Sequence, residues 1–98
     1  MEVWMHTTGT FKRAIYSLNA DLKSAADEVL RALVEAYTQL LHDPWNVARG
    51  DSPQSAKDTF VHSFFPGYVL VYRIQGEFTG EATLIRQHVY LMNVLRQE

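Results

Sequence analysis

Between Asn19 and Pro44 the apolar residues keep one repeat. Leu22, Ala26, Val29, Leu30, Leu33, Tyr37, Leu40 and Leu41 step by three and four, the spacing that gathers side chains on one side of an α-helix. Lys23, Asp27, Glu28, Arg31 and Glu35 fall largely on the other side. A helix with so wide a stripe needs a second layer to cover it. Asn19 is the expected N-cap. Pro44 ends the helix, because a residue before proline, here Asp43, is pushed out of the helical region. The spacing therefore predicts a helix over about residues 20–42.

Upstream, Val3, Trp4 and Met5 within Glu2–His6 form a short run of strand type, and Thr7, Thr8 and Gly9 read as a turn. Thr10 is the expected cap of a first, shorter helix whose apolar side is Phe11, Ala14, Ile15 and Leu18. Downstream, residues 46–58 hold Asn46, Gly50, Asp51, Ser52, Pro53, Gln54 and Ser55 and predict an exposed loop. The pattern then changes to strands. Phe60–Phe65 is one, and Pro66-Gly67 is a turn pair. Tyr68–Ile74 is the second, apolar on both faces and hence central. Gly76 and Gly80 bracket a loose connection. Ala82–Arg86 is the third strand, with an extension to Tyr90 open. Leu91, Val94 and Leu95 favour a short helix over strand in the tail from Tyr90 to Gln97. The expectation is an α+β fold: an N-terminal helical hairpin packed on a small, mainly antiparallel sheet built from the second half.

A chain of 98 residues is enough for one domain, 1–98, and too short for two. At 47% hydrophobic and 20% charged it is ordinary for a globular protein and wrong for disorder. It has no cysteine, which excludes a disulfide scaffold and thiolate chemistry. No run approaches the roughly 20 apolar residues of a membrane span, and the N-terminus has no basic stretch leading into an apolar one. A cytoplasmic protein without membrane contact is expected. Net charge is −2 and both halves mix the two signs, so nucleic-acid binding would need a local patch.

One such patch is legible. Arg86, His88 and Tyr90 are two residues apart, and on a continuing strand all three share a face. A cation, a titratable imidazole and a phenol together suit general acid–base work on a phosphate. The bland alternative makes Arg86 a solvated strand residue, His88 a turn residue and Tyr90 core. Arg73 is either a second cation on the adjacent strand or the partner of a nearby Glu. His62 alternates with Phe60 and Phe64 and reads as a partly buried structural histidine. Trp4 and Trp45 read as core or interface anchors. His6, His42, His62 and His88 are scattered without ligand spacing, so neither a metal nor another cofactor is expected.

The order of elements resembles that of the RelE/ParE superfamily of bacterial toxins. Phe11-Lys12-Arg13 with Leu18 is similar to the family's opening "F-K-R … L", and Leu40-Leu41-His42-Asp43-Pro44 to its "L-L-x-x-P" helix end. Gly67–Ile74 is similar to its "G-Y-R-L-V-Y-R-V" strand. Leu84-Ile85-Arg86 with His88 and Tyr90 resembles its closing "L-L-R … H/Y" segment. These motifs span nearly the whole chain outside residues 46–58.

The resemblance implies a toxin–antitoxin pair with a cognate antitoxin as partner. One branch of the family cleaves mRNA on the ribosome by attack of the ribose 2′-OH on the adjacent phosphate; another inhibits DNA gyrase. The first chemistry needs a base, cations and an acid, and Arg73, Arg86, His88 and Tyr90 are the residues the resemblance assigns to it. Val69 stands where many relatives carry Arg, and residues 50–72 hold only Lys57 as a cation. The alternative is thus a non-enzymatic module on the same scaffold, a gyrase inhibitor or a degenerate toxin that binds an antitoxin. Oligomeric state is open.

Overall fold

The computed structural model describes residues 2–22 and 26–97. The elements are β1 (Glu2–Thr7), α1 (Gly9–Leu22), α2 (Ala26–His42), α3 (Pro44–Arg49), β2 (Ser52–Pro53), β3 (Thr59–Phe65), β4 (Tyr68–Phe78) and β5 (Leu84–Arg96). Five strands form one sheet in the order β1-β5-β4-β3-β2. The fold is α+β, but the sheet is mixed. The first strand precedes the helices and runs parallel to the last, while the other neighbours are antiparallel.

The helices cover one face of the sheet. Val29, Leu33, Ala36 and Leu40 of α2 are buried and join Phe11 and Leu18 of α1, Tyr68, Leu70, Tyr72 and Ile74 of β4, and Val89, Leu91 and Val94 of β5 in one core. The α2 seam is narrower than the expected stripe. Ala36 takes a core position, whereas Tyr37 and Leu41 are exposed, each lying about 100° of helical rotation beyond Ala36 and Leu40. The side chains of Leu22, Lys23 and Ala26 lie outside the described residues.

Neither expected cap stands before its helix. Thr8, not Thr10, caps α1: its hydroxyl accepts from the Phe11 N–H at 3.1 Å and lies 3.1 Å from the Leu91 carbonyl, which ties the helix start to β5. Asn19 falls inside α1 rather than before the next helix. Asp43 does leave the helical region, with φ −155° and ψ 88°, and its carboxylate accepts from the Asn46 N–H to start α3. The expected loop over 46–58 therefore contains the end of a helix and the short strand β2. Pro44 at the first turn terminates one helix and opens the next, since a first-turn residue needs no N–H partner.

The tail is strand, not helix. Tyr72 pairs with Leu91 and Val71 with Asn93, so Met92 is an extra residue in β5. This β-bulge puts Leu91 and Val94, three apart, on the same buried face. A bulge breaks the two-residue alternation of a strand, and here the result imitates helical spacing. Gly67, with φ 84°, makes the β3–β4 turn at a backbone conformation that disfavours other residues. Gly76 belongs to β4, and the connection to β5 begins after Phe78.

Candidate active site on the uncovered sheet face

Along β5 the buried residues Gln87, Val89 and Leu91 alternate with the partly exposed Arg86, His88 and Tyr90. The latter three share the face turned away from the helices. Their neighbours are set by register. On β1, Glu2 pairs with Arg86, Trp4 with His88 and His6 with Tyr90. On β4, Glu77 pairs with Arg86, Gln75 with His88 and Arg73 with Tyr90. Three rows thus cross the sheet, and all four residues proposed from sequence lie in them.

The side chains form a ladder. The Arg86 guanidinium lies 4.3 Å from the centroid of the Trp4 ring, within cation–π range. Trp4 meets His88 edge-on at 5.6 Å. The His6 ring stacks on His88 at 5.0 Å and on Tyr90 at 4.7 Å. His6 Nε2 and His88 Nδ1 are 2.8 Å apart, a hydrogen bond across the β1–β5 boundary.

Charge is unevenly spread along the ladder. Arg86 Nε is 2.8 Å from Glu77 Oε2 and 3.9 Å from Glu2 Oε2. Neither Arg86 Nε nor Glu77 Oε2 has an aligned hydrogen-bond partner, so their contact is an ion pair rather than a directed N–H···O bond. Glu77 Oε2 is also 3.8 Å from His88 Nε2. The Trp4 indole N–H donates to Glu2 Oε1 at 2.6 Å. At the other end Arg73 is exposed and makes no ion pair with a described residue. Its register partner on β5 is Tyr90.

Three residues absent from the sequence proposal belong here: Trp4, His6 and Glu77. Trp4 is 41% exposed and anchors no core. Glu2, Trp4 and His6 alternate along β1 with Val3 and Met5, so the first three share one face. What no local pattern contains is the pairing of His6 with a residue 82 positions away. Among the described residues no group of three or more His, Asp or Glu side chains could hold a metal ion.

His62 lies elsewhere, on β3 toward the helices. Its Nδ1 is 2.7 Å from Asp51 Oδ1, and the buried Tyr72 hydroxyl donates to Asp51 Oδ2. Burial first, then the hydrogen bond to Asp51, holds the Tyr72 phenol far above its ordinary value. This arrangement pins the start of β2 to β3 and β4, the structural role expected of His62. Lys57 is exposed on the turn before β3. Trp45 is 38% exposed and packs edge-on against Phe60 at 5.9 Å.

No protein-family model matches the chain, and no curated protein matches it significantly. Among the described residues no helix is long and apolar enough to cross a membrane.

Proposed function

We propose that this chain is a cytoplasmic toxin of the RelE/ParE superfamily that cleaves mRNA on the ribosome. The carrying observation is the juxtaposition of Arg73, Arg86, His88 and Tyr90 on a sheet face without a helical cover. An exposed sheet face bearing aromatic rings and cations suits single-stranded RNA, whose unstacked bases pack on rings while cations hold phosphates. The order β1-α1-α2, then β3-β4-β5, supports the superfamily reading, with α1 and α2 as its helical hairpin.

The chemistry follows from the residue types. A base removes the 2′-OH proton and the 2′-oxygen attacks phosphorus. The bond to the 5′-oxygen breaks, leaving a 2′,3′-cyclic phosphate and a 5′-hydroxyl. Arg73, free of carboxylates among the described residues, neutralises charge on the phosphate oxygens. Tyr90, opposite Arg73, donates the proton that the leaving 5′-oxygen takes up. The imidazole pair supplies the base.

The rival is a binding module without catalysis, and one observation favours it. Arg86 is already engaged by Glu77 and lies near Glu2, which leaves fewer cations for RNA, and phosphate binding depends steeply on their number. Induced expression in bacteria, followed by mapping of mRNA ends, separates the readings. Growth arrest with cuts in ribosome-bound mRNA supports the nuclease. Arrest without cuts selects the binding module, and harmless expression with intact mRNA rejects the toxin.

A further inference from the structure

We infer that His6, not His88, is the general base of this site, and that His88 with Glu77 is its positioning relay. The inference rests on the nuclease reading above and deepens it. Two facing imidazole nitrogens 2.8 Å apart, His6 Nε2 and His88 Nδ1, need one hydrogen between them: one ring donates and the other accepts. The direction is set by the outer neighbour of His88. Its other nitrogen, Nε2, is 3.8 Å from Glu77 Oε2. That contact is too long for a hydrogen bond, but the negative charge of a carboxylate at this distance favours the tautomer with the hydrogen on Nε2. His88 Nδ1 is then a lone pair, and His6 Nε2 must carry the hydrogen it accepts. His6 is left with a lone pair on Nδ1, the nitrogen outside the contact. His88 has no free basic nitrogen.

The reacting lone pair therefore belongs to a residue of β1. When His6 Nδ1 takes the 2′-OH proton, His6 becomes an imidazolium whose Nε2–H is already held by His88, with the Glu77 carboxylate 3.8 Å beyond His88 Nε2. The charge that develops meets a preformed acceptor, the condition under which a positioned relay lowers a barrier. The proton count closes: one passes from the 2′-oxygen to His6, and one from Tyr90 to the 5′-oxygen. Exchange with water then returns the His6 proton to solvent and restores Tyr90. The stack of His6 on Tyr90 at 4.7 Å keeps base and acid side by side. The other charged or titratable groups of this face are Glu2 on β1, Arg73 and Glu77 on β4, and Arg86 and Tyr90 on β5.

Two measurements on the full-length protein test this. Long-range proton–nitrogen NMR spectra of the wild type, at a pH where both rings are neutral, read the tautomers directly. Hydrogen on Nε2 of both His6 and His88 is expected; hydrogen on Nδ1 of His88 overturns the inference. The second is single-turnover cleavage of mRNA on programmed ribosomes across pH. His6→Ala should lose about 100- to 10,000-fold, the range for removing a general base. His88→Leu removes the acceptor, so the His6 imidazolium is less stabilised and the acid limb of the profile moves to lower pH. His88→Asn, whose side-chain oxygen can stand near Nδ1, should hold that limb near its wild-type position. A wild type that cleaves together with a His6→Ala variant within about threefold of it refutes the role of His6 and leaves the nuclease standing. A wild type that leaves ribosome-bound mRNA intact refutes both.

Discussion

The Tyr72 hydroxyl sits 2.5 Å from Asp51 Oδ2, and the other oxygen of that carboxylate meets His62 at 2.7 Å. One mostly buried carboxylate thus joins the segment after α3 to two strands of the sheet. Tyr72→Phe keeps the ring and removes the donor. It should cost about 1–3 kcal/mol, because the carboxylate loses a partner it cannot replace with water. Denaturant melts at neutral pH check this.

The same contact sets an alkaline limit. Burial and Asp51 favour the neutral phenol, so the folded-state pKa lies above the ordinary value of about 10. A raised pKa contributes stability that is fully present below about pH 10 and is lost as pH rises beyond it. In a spectrophotometric titration, one of the tyrosines should resist ionisation until the protein unfolds. Tyr72→Phe should remove that late step and no other.

Leu33 lies in the α2 seam and is buried in the core. Leu33→Ala should cost about 2–5 kcal/mol, the range for large-to-small core changes. Val34, one residue on, is 63% exposed, and Val34→Ala should change stability by less than about 0.5 kcal/mol. Equal losses at the two positions would mean that the helix faces the sheet by a different side.

Under the nuclease reading, Tyr90→Phe removes the proton donor while keeping the stack on His6. It should lower cleavage by about 100-fold or more and leave the melting temperature within a few degrees. Arg73→Gln should weaken catalysis with little effect on folding, since Arg73 is exposed and holds no ion pair with a described residue. Loss of fold in either variant would count against the uncovered face as a site.

Under both readings of the toxin, a cognate antitoxin should cover this face. An acidic, amphipathic segment would neutralise Arg73 and bury the exposed Trp4 ring beside Arg86. A tag on this chain should retain a small neighbouring gene product on co-expression, and the complex should melt higher than the chain alone. A soluble, co-expressed neighbour that is never retained would remove the antitoxin from the account.

Local pattern alone determined much of this molecule. The α2 repeat, the stop at Asp43-Pro44, the Pro66-Gly67 turn and the central apolar strand are written in neighbouring residues, because backbone preference and burial act over one or two turns of chain. The shared face of Arg86, His88 and Tyr90 was legible for the same reason: strand alternation is local. Only the tertiary structure decided the rest. The bulge at Met92 gave a strand the spacing of a helix, and Thr8 rather than Thr10 became the cap because β5 carbonyls lay beside it. Above all, the parallel pairing of β1 with β5 brought His6 to His88 and Trp4 to Arg86. That register depends on burying Val3 and Met5 of β1 against the core, a condition set by distant side chains and invisible to any window of sequence.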